Sequence, residues 1–162
     1  MVTIIDSSLL IKADFRKVLN QLNTFLSSKE SVIAPPAIYE ETVEISESIP
    51  VLAQSARRIE KLFKNGVIKI ETPDFSDSQV SNIVDKTRNC IGKKSGKALH
   101  SVERGDLQIT ALVVNHLKNR REVELIVHDR PLKECLEQIL KAEGLSNILV
   151  TDAFQLLLQL LK

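Results

Sequence analysis

Asp6 follows the apolar run Val2–Ile5 and precedes Ser7-Ser8-Leu9-Leu10. Asp129 follows Leu125–Val127 and His128, and precedes Arg130-Pro131-Leu132. Taken singly, each is a good helix N-cap: a short side-chain oxygen accepts the free N–H groups of the first turn, and proline suits the first helical position. Glu40 and Glu41 come after Ala34-Pro35-Pro36-Ala37-Ile38-Tyr39, where a glutamate complements the positive end of a helix dipole. Asp106 opens the apolar stretch Leu107–Val114. An acid facing the buried side of such a helix is costly unless a cation or a hydrogen-bond partner meets it.

Position turns these acids into a set. In an open α/β sheet the residues at the carboxyl ends of the strands face one crevice. Asp6 and Asp129 both sit at such ends, and the Pro35–Thr42 and Ser101–Leu112 segments enter helices at the same edge. Glu41 shares helical spacing with Ala37, Ile38 and Ile45, whereas Glu40 shares it with Pro36, Ala37, Val43 and Glu44, so Glu41 is favoured as the inward acid. Four carboxylates gathered there repel one another without a counter-ion. Hard oxygen donors suit Mg²⁺ or Mn²⁺, which polarise a phosphate and lower the pKa of a bound water. The chemistry expected of Asp6, Glu41, Asp106 and Asp129 is phosphodiester hydrolysis, as metal ligands with one acting as a base. Ser7, Glu103 and Thr110 are the expected supporting neighbours, the last two lying one turn either side of Asp106.

The elements that must position these groups can be read from the apolar pattern. Val2–Ile5, Val32–Ala34, Val67–Ile70, Leu125–Val127 and Ile148–Val150 are short, largely β-branched runs of the kind that form buried parallel strands. Between them lie helical stripes. One is Leu9, Phe15, Val18, Leu19, Leu22 and Phe25; another is Leu52, Ala56, Ile59, Leu62 and Phe63, stopped by Gly66. Further helices are expected over Ser78–Asn89, through the apolar Leu107–Val114 stretch, over Leu132–Leu140 before Gly144, and at the Leu-rich end. Asp152 is expected to cap the last of these. Alternating strands and helices predict a single α/β domain over 1–162, with a central, mostly parallel five-stranded sheet.

Composition narrows the partners. The chain has 162 residues with 22 basic and 21 acidic side chains, a formal charge of +1, so any hold on nucleic acid must be local. Aromatic residues make up 4%, with no Trp, which argues against a base-stacking platform. Lys93, Lys94 and Lys97 lie in Gly92-Lys-Lys-Ser-Gly-Lys97, read as a mobile loop before the Asp106 helix and the best candidate to contact phosphates. Cys90 and Cys135 form no C-x-x-C pair, which excludes a zinc ribbon; reduced thiols in a cytoplasmic protein are expected. No run reaches the roughly 18 apolar residues of a membrane span, and none reads as a signal peptide.

The four acidic segments, taken in order, resemble the motifs of the PIN-domain nucleases. Val-Thr-Ile-Ile-Asp6-Ser-Ser-Leu-Leu-Ile is similar to the first, Ala-Pro-Pro-Ala-Ile-Tyr-Glu-Glu41-Thr to the second, Ser-Val-Glu-Arg-Gly-Asp106-Leu-Gln-Ile-Thr-Ala-Leu to the third and Leu-Ile-Val-His-Asp129-Arg-Pro-Leu to the fourth. His128 stands beside the fourth motif's acid, where the family commonly has Thr or Ser. The resemblance implies a Rossmann-like α/β/α sandwich and metal-dependent cleavage of single-stranded RNA. It implies either a toxin held by an antitoxin or an RNA-processing, ribosome-maturation enzyme, and by analogy a homodimer.

Rival readings are weaker. A phosphoacceptor receiver needs an Asp after its third strand, where this chain has Glu71-Thr72. A P-loop or dinucleotide fold lacks its Gly-rich loop. A PIN-like scaffold without catalysis is the remaining alternative.

Overall fold

A computed structural model describes residues 1–162, the side chain of Ser101 excepted. Five strands form one parallel sheet in the order β3-β2-β1-β4-β5. They are β1 (Val2–Ile5), β2 (Ser31–Ala34), β3 (Lys69–Ile70), β4 (Val123–Val127) and β5 (Ile148–Asp152). Every residue of β1 and β4 is buried, as expected of central strands covered on both faces. Within β4, the buried Glu124 accepts from Thr3 of β1 and Thr151 of β5 and pairs with Lys29, so its charge is satisfied.

Helices cover the sheet in two groups. α1 (Ser7–Phe15), α2 (Leu19–Ser27), α5 (Ala53–Lys64) and α9 (Ala153–Leu160) pack with one another; α6 (Ser78–Ser95), α7 (Arg104–Lys118) and α8 (Arg130–Ala142) form the second group. α7 lies along β1 and β4 and supplies ten buried residues, matching a helix that is apolar on most sides. The architecture is the expected α/β sandwich around a parallel sheet.

Several local expectations need correction. The first apolar stripe is two helices, because the chain breaks at Arg16–Val18, where Lys17 adopts φ 59°. Phe15 consequently points to solvent at 85% exposure instead of joining the core. α6 runs to Ser95, so Gly92–Ser95 is helix; of the expected loop only Gly96, at φ 69°, and Lys97 lie outside it. Cys90 and Cys135 are not reduced thiols. They form a disulfide joining α6 to α8, with the Cα atoms 5.8 Å apart. Spacing along the sequence could not show that two helices 45 residues apart lie side by side. Among the described residues no helix is long and apolar enough to cross a membrane.

The sheet order explains where a site must form. From β1 the chain steps outward to β2 and β3, then returns past β1 to β4 and β5. The winding therefore reverses between β1 and β4, whose carboxyl ends open a crevice between the two connections.

Candidate active site

Asp6 ends β1 and caps α1: its Oδ1 accepts from the Ser8 hydroxyl at 2.8 Å and from the Leu9 N–H at 3.2 Å. Asp129 caps α8, accepting from the Leu132 N–H at 3.0 Å. The capping role and the cleft role coexist at both residues. A bond to the helix start fixes the carboxylate, and each group still lines one cleft at the switch between β1 and β4.

Glu41 reaches that cleft from a distorted helix. Pro36 begins α3 (Pro36–Tyr39), a π-turn follows over Glu40–Glu44, and α4 (Ile45–Glu47) closes the segment. Single π-turns widen a helix and re-aim side chains, often at functional sites. Here Glu41 lines the cleft while Glu40 forms a surface ion pair with Arg104. The regular helical spacing that favoured Glu41 does not hold beyond it: Ile45, expected inward, is 49% exposed. The hydroxyls of Thr42 and Ser46 donate to the main-chain oxygens of Ile38 and Glu41 within the widened stretch.

Asp106 enters from the first turn of α7 and is 8% exposed. Two residues that sequence reasoning passed over place this turn against α3. Gln108 accepts from the Ala37 N–H at 2.9 Å, capping the start of α3 from the side. Gly105 permits the close approach: a Cβ there would lie 3.1 Å from Glu41 Oε1 and 3.3 Å from Ile38 Cδ1. A glycine directly before an acidic helix start was the available signal for both.

The cleft, about 200 Å³, brings together Asp6, Glu41, Asp106 and Asp129, with Ser7, Ser8, Glu103 and His128 on its walls. Ser7 stands beside Glu41 on the cleft wall. Thr110 stays behind the site, its hydroxyl donating to the Asp106 main-chain oxygen at 2.8 Å. Lys93, Lys94 and Lys97 do not line the cleft, and Lys94 pairs with Glu134 at 3.3 Å. A larger groove, about 840 Å³, lies between α1, α2 and α5, away from the acidic set; its one acid, Asp14, is held by Arg58 at 2.6 Å.

Burial and mutual repulsion dominate the cleft's electrostatics. Burial, then the charges of Asp129, Glu103, Asp6 and Glu41, push the Asp106 carboxyl up from 3.8 to about 8. Asp6 is raised by burial and by Asp129, against hydrogen bonds from Ser8, Leu9 and His128. Glu41 is raised by burial, with Glu103 and Asp6 adding to it and the Ser7 hydrogen bond opposing. Among the described residues no three His, Cys, Asp or Glu side chains stand at metal-ligand spacing, so these carboxylates share a field without meeting at a point. The donor set nonetheless fits a hard divalent cation: every donor is an oxygen, and the surplus negative charge is what such an ion would neutralise.

A family model described as the halobacterial PIN domain matches residues 1–161. The chain belongs to this family. PIN domains are generally nucleases, and those nucleases typically use divalent metals. No curated protein shows significant sequence similarity to this PIN domain. Among solved structures, it is similar to a chain of VapBC-1 from nontypeable Haemophilus influenzae, with a TM-score of 0.56 and 18% identity over 95% of this chain and 99% of that one. At that identity the likeness speaks for the fold alone.

Proposed function

We propose that this PIN domain, read as one unit over 1–162, is an endoribonuclease that cleaves single-stranded RNA with Mg²⁺ or Mn²⁺. The observation that carries the reading is the convergence of Asp6, Glu41, Asp106 and Asp129, from four separate segments, on one cleft where the sheet winding reverses. A divalent cation bound there supplies Lewis-acid polarisation of the phosphate. The chain's own groups do the rest. The Ser8 hydroxyl and the Leu9 N–H hold Asp6 in one orientation, and the first turn of α8 does the same for Asp129. Ser7 offers a hydroxyl beside Glu41. Asp106 keeps a proton near neutral pH while the cleft lacks positive charge, and releases it when such charge enters.

The proposal extends to setting and partners. Cytoplasmic RNA is the substrate, and the role is that of a toxin silenced by an antitoxin or of an RNA-processing, ribosome-associated enzyme; a homodimer is the proposed assembly. Lys93 and Lys97, close in sequence to Glu103 at the cleft rim, are proposed to hold substrate phosphates, with Lys94 contributing when it leaves Glu134.

The test is cleavage of a labelled single-stranded RNA with Mn²⁺ or Mg²⁺, by the protein and by Asp6→Asn. Metal-dependent cleavage that falls at least a hundredfold in the variant supports the reading. One observation favours the scaffold alternative, namely that no three acids stand at ligand spacing. Calorimetric titration with Mn²⁺ separates the two, since a scaffold takes up no metal that Asp6→Asn would lose.

A further inference from the structure

His128, the residue before Asp129, lines the acidic cleft and is exposed to solvent. Its imidazole faces the ring of Phe154, in the first turn of α9, with centroids 6.0 Å apart and planes inclined at 43°. The guanidinium of Arg16, which caps the end of α1, sits 5.0 Å over that same phenyl ring. Three side chains from three segments thus form a row running outward from the carboxylates: imidazole, phenyl, guanidinium.

Packing of α9 against α1 brings Arg16 to Phe154 but leaves the ring partly open. Phe154 remains 36% exposed while its neighbours Ala153, Leu156 and Leu157 fill the core. Arg16 makes no ion pair with a carboxylate among the described residues, so its charge is directed at a ring face and at solvent. Flat π-faces alternating with a cation are how proteins hold single strands: unpaired bases stack on aromatic and guanidinium planes, and the cation takes a backbone phosphate.

We propose that His128, Phe154 and Arg16 form a stacking subsite for an unpaired nucleobase of single-stranded RNA, next to the phosphate held at the acidic cleft. This rests on the nuclease reading above for its substrate. Aromatic residues are only 4% of the chain, but this row needs just one phenyl ring, one imidazole and one guanidinium. Selection for single strands follows, because a base held in a duplex cannot offer its face.

Binding is measured by fluorescence anisotropy at low salt in Ca²⁺, which neutralises the carboxylates, using short labelled single-stranded RNAs that gels confirm stay intact. One series is intact and another carries one abasic residue at successive positions. Phe154→Leu keeps the apolar volume and loses the π-face; it should weaken binding of the intact RNA about tenfold. At one position the abasic residue should cost the unaltered protein a similar factor, and there Phe154→Leu should add nothing further. Phe154→Trp should restore binding, and Leu158→Ala, an exposed change on the same helix, should leave it unchanged. The proposal is overturned if Phe154→Leu binds intact RNA as the unaltered protein does, or if its effect persists equally on every abasic RNA. It is also overturned if the substitution alters only the protein's sedimentation, which would mark the row as a protein–protein surface. Cleavage by the unaltered protein in Mn²⁺ is scored separately. Base-dependent binding without cleavage sinks the nuclease reading and keeps the subsite; cleavage without dependence on Phe154 does the reverse.

Discussion

Asp106 is the residue at which stability and the proposed activity pull apart. The residue is 8% exposed, and its carboxyl lies in the field of four other acids. Because it titrates near 8 in the fold against 3.8 for the free group, the folded state binds its proton more tightly than the unfolded chain does. The stability tied to that proton is present below the unfolded value of 3.8 and is lost as pH rises through about 8. Asp106→Asn removes the penalty. Without metal, the variant should be more stable than its parent at pH 8 by on the order of 1–2 kcal/mol, and the gap should close toward pH 4. Thermal melts in chelator at the two pH values measure this, and a variant that melts lower at pH 8 would contradict it. Mg²⁺ should raise the parent's melting temperature more than the variant's, since the parent brings one more carboxylate to be neutralised.

Asp6 and Asp129 were legible in the sequence for the reason that made them ambiguous, since an acid ending a strand and starting a helix can serve as cap and ligand together. The structure keeps the cap bonds and places both in the cleft. Glu41 was reached by a rule that fails just beyond it, because periodicity cannot announce a π-turn. Gln108 and Gly105 were not legible, since their importance lies in the distance between α3 and α7.

At the scale of elements, the approach of α3 to α7 sets the width of the cleft. A Cβ at residue 105 would press on Glu41 Oε1 at 3.1 Å. That atom ends a flexible side chain, so Gly105→Ala should fold well, with a change in stability below about 1 kcal/mol. The relief, however, must come from turning the carboxylate away. Cleavage should therefore drop about tenfold or more while the melting temperature barely moves. Equal activity at equal stability would mean that Glu41 tolerates displacement and is not a ligand.

The disulfide is the other inter-element tie. It joins α6 to α8 across 45 residues, flanked by the Lys86–Glu143 and Lys94–Glu134 ion pairs. Closing a loop of that length removes unfolded-state entropy worth about 2–4 kcal/mol. Reduction, or Cys90→Ser with Cys135→Ser, should lower the melting temperature by about 5–15 °C, given roughly 2–4 °C per kcal/mol for a chain of this size. Scanning calorimetry with and without a thiol reductant reads this, and an unchanged melt would show that the packing of α6 on α8 already fixes both helices. The central strands β1 and β4 were legible because a buried parallel strand is nearly uniform in its apolar run, whereas the exposed edge strand β3 keeps only Lys69–Ile70 of its run; the Cys pair was not legible, because helix adjacency is decided by topology.

The whole molecule carries almost no net charge, with 22 basic against 21 acidic residues. Bulk attraction therefore cannot hold a polyanion, and its cleft would repel one before metal enters. What remains is the placement of the basic groups. Many are spent internally: Arg58 on Asp14, Lys64 on Glu60, Lys86 on Glu143, Lys118 on Asp77. Lys93 and Lys97 make no ion pair among the described residues, and the chain that follows them leads to Glu103 at the cleft rim. A single strand releases about 0.7 counterions per phosphate neutralised, so two lysines contribute about 1.4 to the slope of log affinity against log salt. Replacing Lys93, Lys94 and Lys97 with Ala should flatten the slope by about that amount, rising toward roughly 2 where RNA draws Lys94 away from Glu134. An unchanged slope, measured from low to moderate salt, would remove the α6 end from the RNA path and leave Arg16 as the cation beside the cleft.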